Sequence, residues 1–302
     1  MAARWSAWAL ILQLLLAAAL AAALAHACAL SGAAIAGLIV LELCGGALLL
    51  AVAPLALGRW KASGPMALGA GNRRLRALCA DALSLELALG RMALEPCRPP
   101  VEDRAAPTAP GARPILLVHG FACSRAVWRP LLKRLAAAGV RPVRAVSLEP
   151  LFAGVDACAA QVLSEIEALA ASCAGEPVTI VGHSMGGLVA RAALRAAAPG
   201  RIGRIVTLGA PHHGTALACW FGWPSTRQMC PGSDWLAQLN CAQAGRPGIP
   251  ITTIYSLDDN FIVPAGSARL DGAQLVEFRG LGHLSLLDAS AVLDRVVSEA
   301  LA

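Results

Sequence analysis

The sequence predicts an α/β fold, in which a mostly parallel sheet of about six strands carries helices on both faces. From residue 113 onward, short apolar stretches rich in β-branched residues alternate with longer helix-forming stretches. One of these apolar stretches also ends in a glycine-rich turn that leads straight into a helix-forming segment. Both observations are typical of repeated β-α-β units. We predict strands at 114–118, 142–147, 178–181, 204–208, 251–255 and 274–278.

The turn after the third predicted strand has the pattern G-x-S-x-G, from Gly182 to Gly186. Its two glycines leave room for a strand-to-helix turn too tight for side chains, so that the Ser184 hydroxyl projects above the sheet edge. The same pattern elsewhere is often a glycine turn with an incidental serine. Here a strand precedes it, a helix follows it, and candidate partners lie downstream in the order Ser, Asp, His. The pattern therefore predicts a nucleophilic serine.

His283 is the candidate general base among the six histidines. It lies in a glycine-containing turn between a strand-like stretch and a helix-forming C-terminus. Such a turn can bring the imidazole over the carboxyl ends of the strands, where it could take the Ser184 proton and return it to a leaving alcohol. A solvated loop histidine is the alternative interpretation.

The acid is expected between the fifth predicted strand and His283, where Asp258 and Asp259 are adjacent. Neighbouring side chains in an extended or turning segment point in different directions, so only one carboxylate can hold the imidazole in its productive tautomer. We assign this role to Asp259, and Asp258 would cap the turn or face water.

Four segments together resemble the bacterial lipases and esterases of the α/β-hydrolase superfamily, especially the small lipases with a minimal catalytic domain. They are 118–121, 182–186, 209–215, and the Y-S-x-x-D-N segment 255–260 with its later proline and G-H pair. The resemblance covers 113–302 and implies a minimal α/β-hydrolase fold. Its acid loop again points to Asp259.

The same resemblance implies an oxyanion hole made by the backbone N–H groups of Phe121 and Met185. It also implies a serine carboxylester hydrolase, a lipase or esterase similar to triacylglycerol lipases, that cleaves acyl esters through an acyl-enzyme. The substrate would be a lipid or a small ester. A thioesterase or acyltransferase could use the same machinery, and a membrane-tethered, non-catalytic interaction protein is the alternative from another class.

The excursion 216–250 carries Trp220, Phe221 and Trp223 among prolines and glycines. Aromatic side chains this dense beside an active-site edge predict an acyl-chain groove or a short lid. A small apolar cluster beneath the loop, without a role in binding, is an equally good interpretation.

Two apolar runs near the N-terminus, 5–25 and 33–57, are each long enough to cross a hydrocarbon core about 30 Å thick. They predict a transmembrane helical hairpin in 1–60. Residues 61–112 would then form an interfacial helix and a proline-rich linker, ahead of a catalytic domain at 113–302. A cleavable signal peptide is the alternative, because Ala25-His26-Ala27 resembles a cleavage site.

The net charge of +6 and the pI near 9.0 favour anionic lipid headgroups as partners, since the sequence has no basic-aromatic nucleic-acid module. Lysine and arginine residues flank the two apolar runs, and the link between the runs has neither. This bias predicts a multi-pass protein of the inner (cytoplasmic) membrane with its catalytic domain in the cytoplasm, the periplasmic side being the alternative. Abundant arginine and alanine suggest a GC-rich bacterial genome.

The ten cysteines include no C-x-x-C pair and no metal-ligand spacing with histidine. We therefore predict neither a metal site nor a cofactor. In an oxidising compartment Cys219, Cys230 and Cys241 could supply a disulfide, whose pairing the sequence leaves open.

Overall fold

The computed structural model describes residues 71–97, 114–243 and 248–301. The predicted hairpin in 1–60 lies outside these residues. In the part of the chain that is described, no helix combines the length and the apolar character that a membrane crossing requires.

Six strands and seven α-helices are described, and short 3-10 helices join several of them. The strands are β1 Ile115–Val118, β2 Val143–Val146, β3 Val178–His183, β4 Ile202–Leu208, β5 Ile251–Ser256 and β6 Gln274–Phe278. The helices are α1 Gly71–Ala93, α2 Arg129–Ala137, α3 Val155–Ser172, α4 Met185–Ala196, α5 Pro224–Gln228, α6 Asp234–Gln243 and α7 Ser290–Leu301. All six predicted strands are confirmed, and no end differs from the prediction by more than two residues.

The strands form one sheet in the order β2-β1-β3-β4-β5-β6, and every neighbouring pair is parallel. The chain runs from β1 to the edge strand β2 and then returns to the other side of β1 with β3. The connections that follow β1 and β3 therefore lead away from each other, one towards β2 and the other towards β4. Such a divergence opens a crevice at the carboxyl ends of the two strands. The turns after β1 and β3 carry Phe121 and Ser184.

Apolar layers cover both faces of the sheet, because successive side chains of a strand point to opposite faces. Leu116 and Ile180 pack with apolar residues of α3 and α4 on one face. Leu117 and Val181 pack with apolar residues of α1, α2 and α7 on the other. The central strands are therefore buried between helices, as in parallel sheets generally, whereas the edge strand β6 is exposed or half-buried.

Helix α1 packs directly against this core. Most of its buried residues recur at helical spacing and form one stripe, made of Ala77, Asp81, Ser84, Ala88 and Met92. The sequence places this helix in the segment ahead of the catalytic domain. In the structure it instead shares one apolar cluster with β1, α2 and α7, because its buried stripe needs an apolar partner.

Candidate active site

Ser184 lies between β3 and α4 in a strained turn. Its backbone angles, φ 54° and ψ −125°, belong to a sparsely populated region for a residue with a side chain. The N–H of Ser184 donates to the Leu208 carbonyl at 2.8 Å, which fixes the turn to β4. A Cβ on Gly186 would collide with the Val118 carbonyl, so only glycine permits this close packing. These contacts hold the serine at the start of α4.

His283 forms a hydrogen bond with Asp259 and not with Asp258. Its Nδ1 donates to Asp259 Oδ2 at 2.8 Å, and both side chains are almost fully buried. Asp259 Oδ1 accepts from the N–H groups of Phe261 and Ile262, each at 2.8 Å. The carboxylate of Asp258 accepts instead from the Gly280 N–H at 2.7 Å. The Asp259 bond leaves Nε2 of His283 to exchange a proton.

Two further residues hold the backbone of His283. The Asn260 side-chain oxygen accepts from the His283 N–H at 3.0 Å. Nε2 of His183 donates to the His283 carbonyl at 3.2 Å, with the two imidazole rings 4.6 Å apart. No role was predicted for either residue. Asn260 belongs to the acid-loop pattern and His183 to the serine turn, so their positions beside the predicted residues were the available signal.

Of the two neighbouring imidazoles, only that of His283 has a raised pKa. Burial lowers the pKa of His283, but the charge and hydrogen bond of Asp259 raise it, so that it lies above the ordinary value of 6.5. Burial and the nearby His283 hold the pKa of His183 well below 6.5, and His183 is therefore neutral near pH 7. A general base must be deprotonated to act, so protonation of His283, the predicted base, is expected to limit any activity at low pH.

We therefore expect kcat/KM for an uncharged ester to fall as the pH drops, with a midpoint above 6.5. The fall follows because the protonated imidazolium cannot accept the Ser184 proton. The measurement is a pH–rate profile from pH 5 to 9, with circular dichroism at each pH to exclude unfolding. A rate that stays constant through this range, in a folded protein, would contradict the role of His283.

Phe121 and Met185, the predicted oxyanion residues, flank Ser184. Met185 is the first residue of α4, and the first N–H groups of a helix have no acceptor within it. Phe121 follows β1 and lines the same cavity as Ser184. An ideal Cβ on Gly120 would lie 2.9 Å from the Ser184 Cβ, so the turn after β1 approaches the serine closely. This approach places two backbone segments beside the hydroxyl.

His119 supports the turn after β1. Its Nδ1 donates to the Gly120 carbonyl at 2.8 Å, and its Nε2 accepts from the Leu148 N–H at 3.0 Å. Burial lowers the pKa of His119 to about 4, so the ring remains neutral and keeps both bonds. The sequence motif included this residue without an explanation for it.

An apolar cavity of about 430 Å³ opens at Ser184 and His283. This volume is within the range of small-molecule sites, about 300–1,000 Å³. One wall is the buried face of α1, formed by Leu85, Ala88, Leu89 and Met92. The opposite wall comes from the segment after β4, with Leu217, Ala218, Phe221 and Met229. The cavity can hold an apolar chain against the serine.

The three aromatic residues predicted to bind substrate occupy different places. Phe221 lines the cavity. Trp223 stacks on Phe221 at 5.2 Å between ring centroids and lies 5.5 Å from Phe121. Trp220 is outside the cavity lining, and its exposed fraction is 37%. Of the three, Phe221 thus lies at the cavity and Trp223 packs against Phe221.

A disulfide joins Cys219 to Cys230 and closes the segment that carries these aromatic residues. Cys241, the third candidate, has a free thiol. Among the described residues, no group of three or more His, Cys, Asp or Glu side chains is arranged to hold a metal ion.

Comparisons with known proteins agree with this architecture. A family model for the PGAP1-like alpha/beta domain matches residues 155–221, which include β3, the Ser184 turn and β4. The mature form of the Bacillus licheniformis lipase BlEst2 is similar in structure, with a TM-score of 0.54 and 17% identity over 66% of this chain and 96% of that one. Aspergillus fumigatus lipase B has a TM-score of 0.60 and 16% identity over 95% of this chain and 85% of its own.

The chain has an α/β-hydrolase fold. Identities this low establish the fold alone, and a search of curated proteins found no match. In keeping with this fold, the predicted nucleophile lies after a central strand, and the predicted acid and histidine lie on later loops. The contribution of α1 to the cavity was not foreseen. Its buried stripe, at helical spacing, was the signal in the sequence.

Proposed function

We propose that this α/β-hydrolase is a serine carboxylester hydrolase, a lipase or esterase. The observation that carries the proposal is the buried His283–Asp259 pair at the mouth of an apolar cavity that Ser184 also lines. Ser184 Oγ would attack the ester carbonyl while Nε2 of His283 takes its proton. The same imidazole would return this proton to the departing alcohol, leaving an acyl-enzyme that water hydrolyses.

Asp259 would hold His283 in the required tautomer and stabilise the imidazolium that forms during attack. The negative oxygen of the tetrahedral intermediate would bind the N–H groups of Phe121 and Met185. Donors fixed in a turn and at a helix N-terminus need little rearrangement to stabilise that charge, which is why such an arrangement accelerates acyl transfer.

The substrate we propose is an ester of an apolar acyl chain, as in a triacylglycerol or a related lipid. The walls from α1 and from the segment after β4 present almost only hydrocarbon and thioether groups to the chain. Burying a methylene group in such surroundings is worth about 0.8 kcal/mol, so binding should strengthen with chain length until the cavity is full.

The decisive experiment measures hydrolysis of p-nitrophenyl esters from acetate to palmitate, together with labelling of the folded protein by a fluorophosphonate. We expect labelling at Ser184 and a preference for chains longer than acetate. Labelling without ester hydrolysis would favour the thioesterase or acyltransferase alternative. A folded protein that neither reacts with the probe nor cleaves any ester would contradict the proposal and favour a non-catalytic role.

We expect Ala88→Phe to shift the chain-length preference towards short esters. Ala88 is buried and lines the cavity from α1, so a phenyl ring there would occupy space that a long chain needs. The value of kcat/KM for palmitate should fall about 10- to 100-fold, while that for acetate should change about threefold or less. Leu87→Phe is the matched control, because Leu87 is its exposed neighbour. Equal profiles for the two variants would exclude α1 as a chain-binding wall.

We also propose that the two apolar runs in 1–60 anchor the enzyme in the inner membrane. Basic residues predict a cytoplasmic catalytic domain, whereas a disulfide such as Cys219–Cys230 persists in an oxidising compartment. Resistance to carbonate extraction tests the anchor. Protease added to intact spheroplasts tests the side, since only a periplasmic catalytic domain is digested from outside.

A further inference from the structure

Asp81 is a buried carboxylate far from Asp259 in sequence, and it contacts the loop that carries His283. It lies on α1 with an exposed fraction of 1%. Its Oδ1 accepts from the Leu284 N–H at 2.6 Å and from the Ser285 N–H at 2.8 Å. The Ser285 hydroxyl donates to the same oxygen at 3.2 Å. Three hydrogen bonds therefore tie α1 to the two residues after His283.

The contact also involves the residue before His283. A Cβ on Gly282 would overlap the Asp81 side chain, so the loop approaches the carboxylate as closely as its backbone allows. Leu284 begins a short 3-10 helix, and the first N–H groups of a helix have no acceptor within it. Asp81 supplies that acceptor from another part of the chain.

We propose that Asp81 is a positioning residue, which sets the place of the His283 imidazole for proton exchange with Ser184. The inference rests on the proposed hydrolase function. Asp259 fixes the ring, while Asn260 and His183 bind the backbone N–H and carbonyl of His283. Asp81 fixes the direction in which the chain leaves His283. Without it, the ring could rotate away although its bond to Asp259 remained.

Asp81 also acts on His283 through its charge. The titratable groups that face the His283 imidazole are Asp259, Asp81 and the neutral His183. The charge of Asp81 adds to that of Asp259 in raising the pKa of His283, although burial raises the pKa of Asp81 as well. Removing the Asp81 charge should therefore lower the pKa of His283 and move the acid limb of the pH–rate profile to lower pH.

The test compares Asp81→Ala and Asp81→Asn with Arg91→Gln in the full 302-residue chain. Arg91 joins the same helix to Asp288, the residue that ends the same 3-10 helix, through a 2.7 Å ion pair. Arg91→Gln thus removes a polar contact between α1 and this part of the fold without touching His283. If Asp81 only attached α1 to the rest of the fold, its variants should behave like Arg91→Gln. If Asp81 positions His283, its variants should change catalysis.

We expect Asp81→Ala to lower kcat about 10- to 100-fold with KM changed threefold or less, since misplacement of a catalytic group by about 1 Å can cost 100-fold. Asp81→Asn keeps an acceptor oxygen and should restore most of kcat, while its acid limb should still move to lower pH. If Asp81→Ala does not fold, the acid limb of the pH–rate profile of Asp81→Asn provides the test instead. Asp81 variants that match Arg91→Gln in both kcat and acid limb would overturn the inference.

Titration of the His283 imidazole by NMR, without substrate, separates this inference from the proposed function. A wild-type protein that cleaves no ester would refute the function but leave the titration informative. A lower pKa of His283 in Asp81→Asn than in Arg91→Gln would then still support the inference, and an identical pKa in the two variants would oppose it.

Discussion

Replacing Ser184 with alanine is expected to lower kcat for ester hydrolysis by roughly four to six orders of magnitude. Alanine removes the oxygen that forms the acyl-enzyme, while the remaining site can only orient water against the substrate. The fold should persist, because the serine side chain is not needed for the turn, whose geometry depends on the surrounding backbone. Steady-state kinetics, a pre-steady-state burst and fluorophosphonate labelling would measure the loss.

Ser172→Ala is a suitable control for this experiment. Ser172 ends α3, and its hydroxyl donates to the Leu169 carbonyl at 2.8 Å, outside the cavity lining. It should keep wild-type activity, burst and labelling. Ester hydrolysis that survives in Ser184→Ala at more than about one per cent of the wild-type rate would rule out an acyl-enzyme on this serine.

Asp259→Asn is expected to lower kcat about 10⁴-fold with little effect on folding. The amide can present its NH₂ group to Nδ1 of His283, which favours the tautomer with the proton on Nε2, and that nitrogen then cannot accept the Ser184 proton. Asp259 Oδ1 accepts two backbone N–H bonds, and an asparagine oxygen at the Oδ1 position would keep both of them. The NH₂ group would then face His283. The loss should appear in kcat more than in KM.

Asp258→Asn is the matched control, because it makes the same change one residue earlier. The Asp258 carboxylate accepts from the Gly280 N–H, a bond that an amide oxygen can retain. We expect its kcat to stay within about threefold of the wild-type value. If Asp258→Asn were the more damaging change, the acid would have to be reassigned to Asp258.

Strands β1 and β3 were the easiest to predict, because each is a short, mainly apolar stretch that is buried on both faces. The edge strand β6 differs, since all its residues are exposed or half-buried. The Ser184 turn was predictable only in part, since Gly182 is required by its contact with Gly186 four residues later, whereas Gly186 is required by the distant Val118 carbonyl. The choice between Asp258 and Asp259 depended on the direction of side chains in a turn. A hydrogen bond to His283, 24 residues further along, shows the direction that Asp259 takes.

Long-range contacts explain what the sequence analysis missed. Asp81 and Leu284 are 203 residues apart, and nothing in either segment indicates that one will accept a hydrogen bond from the other. The disulfide presented a similar problem, because three cysteines close together in sequence allow several pairings and only the path of the chain selects one. Local patterns specify elements well, but they do not specify which distant surfaces meet.

If the proposed hydrolase function holds, the wall that α1 contributes bears on how the substrate preference could change. The predicted catalytic residues lie on turns and loops at the ends of the strands, whereas one wall of the cavity belongs to a helix that precedes the first strand. Substitutions at Leu85 or Leu89 could therefore alter acyl selectivity without disturbing the nucleophile turn. In the proposed hydrolase, chemistry and selectivity would thus be encoded in separate stretches of the polypeptide, and each could diverge while the other is conserved.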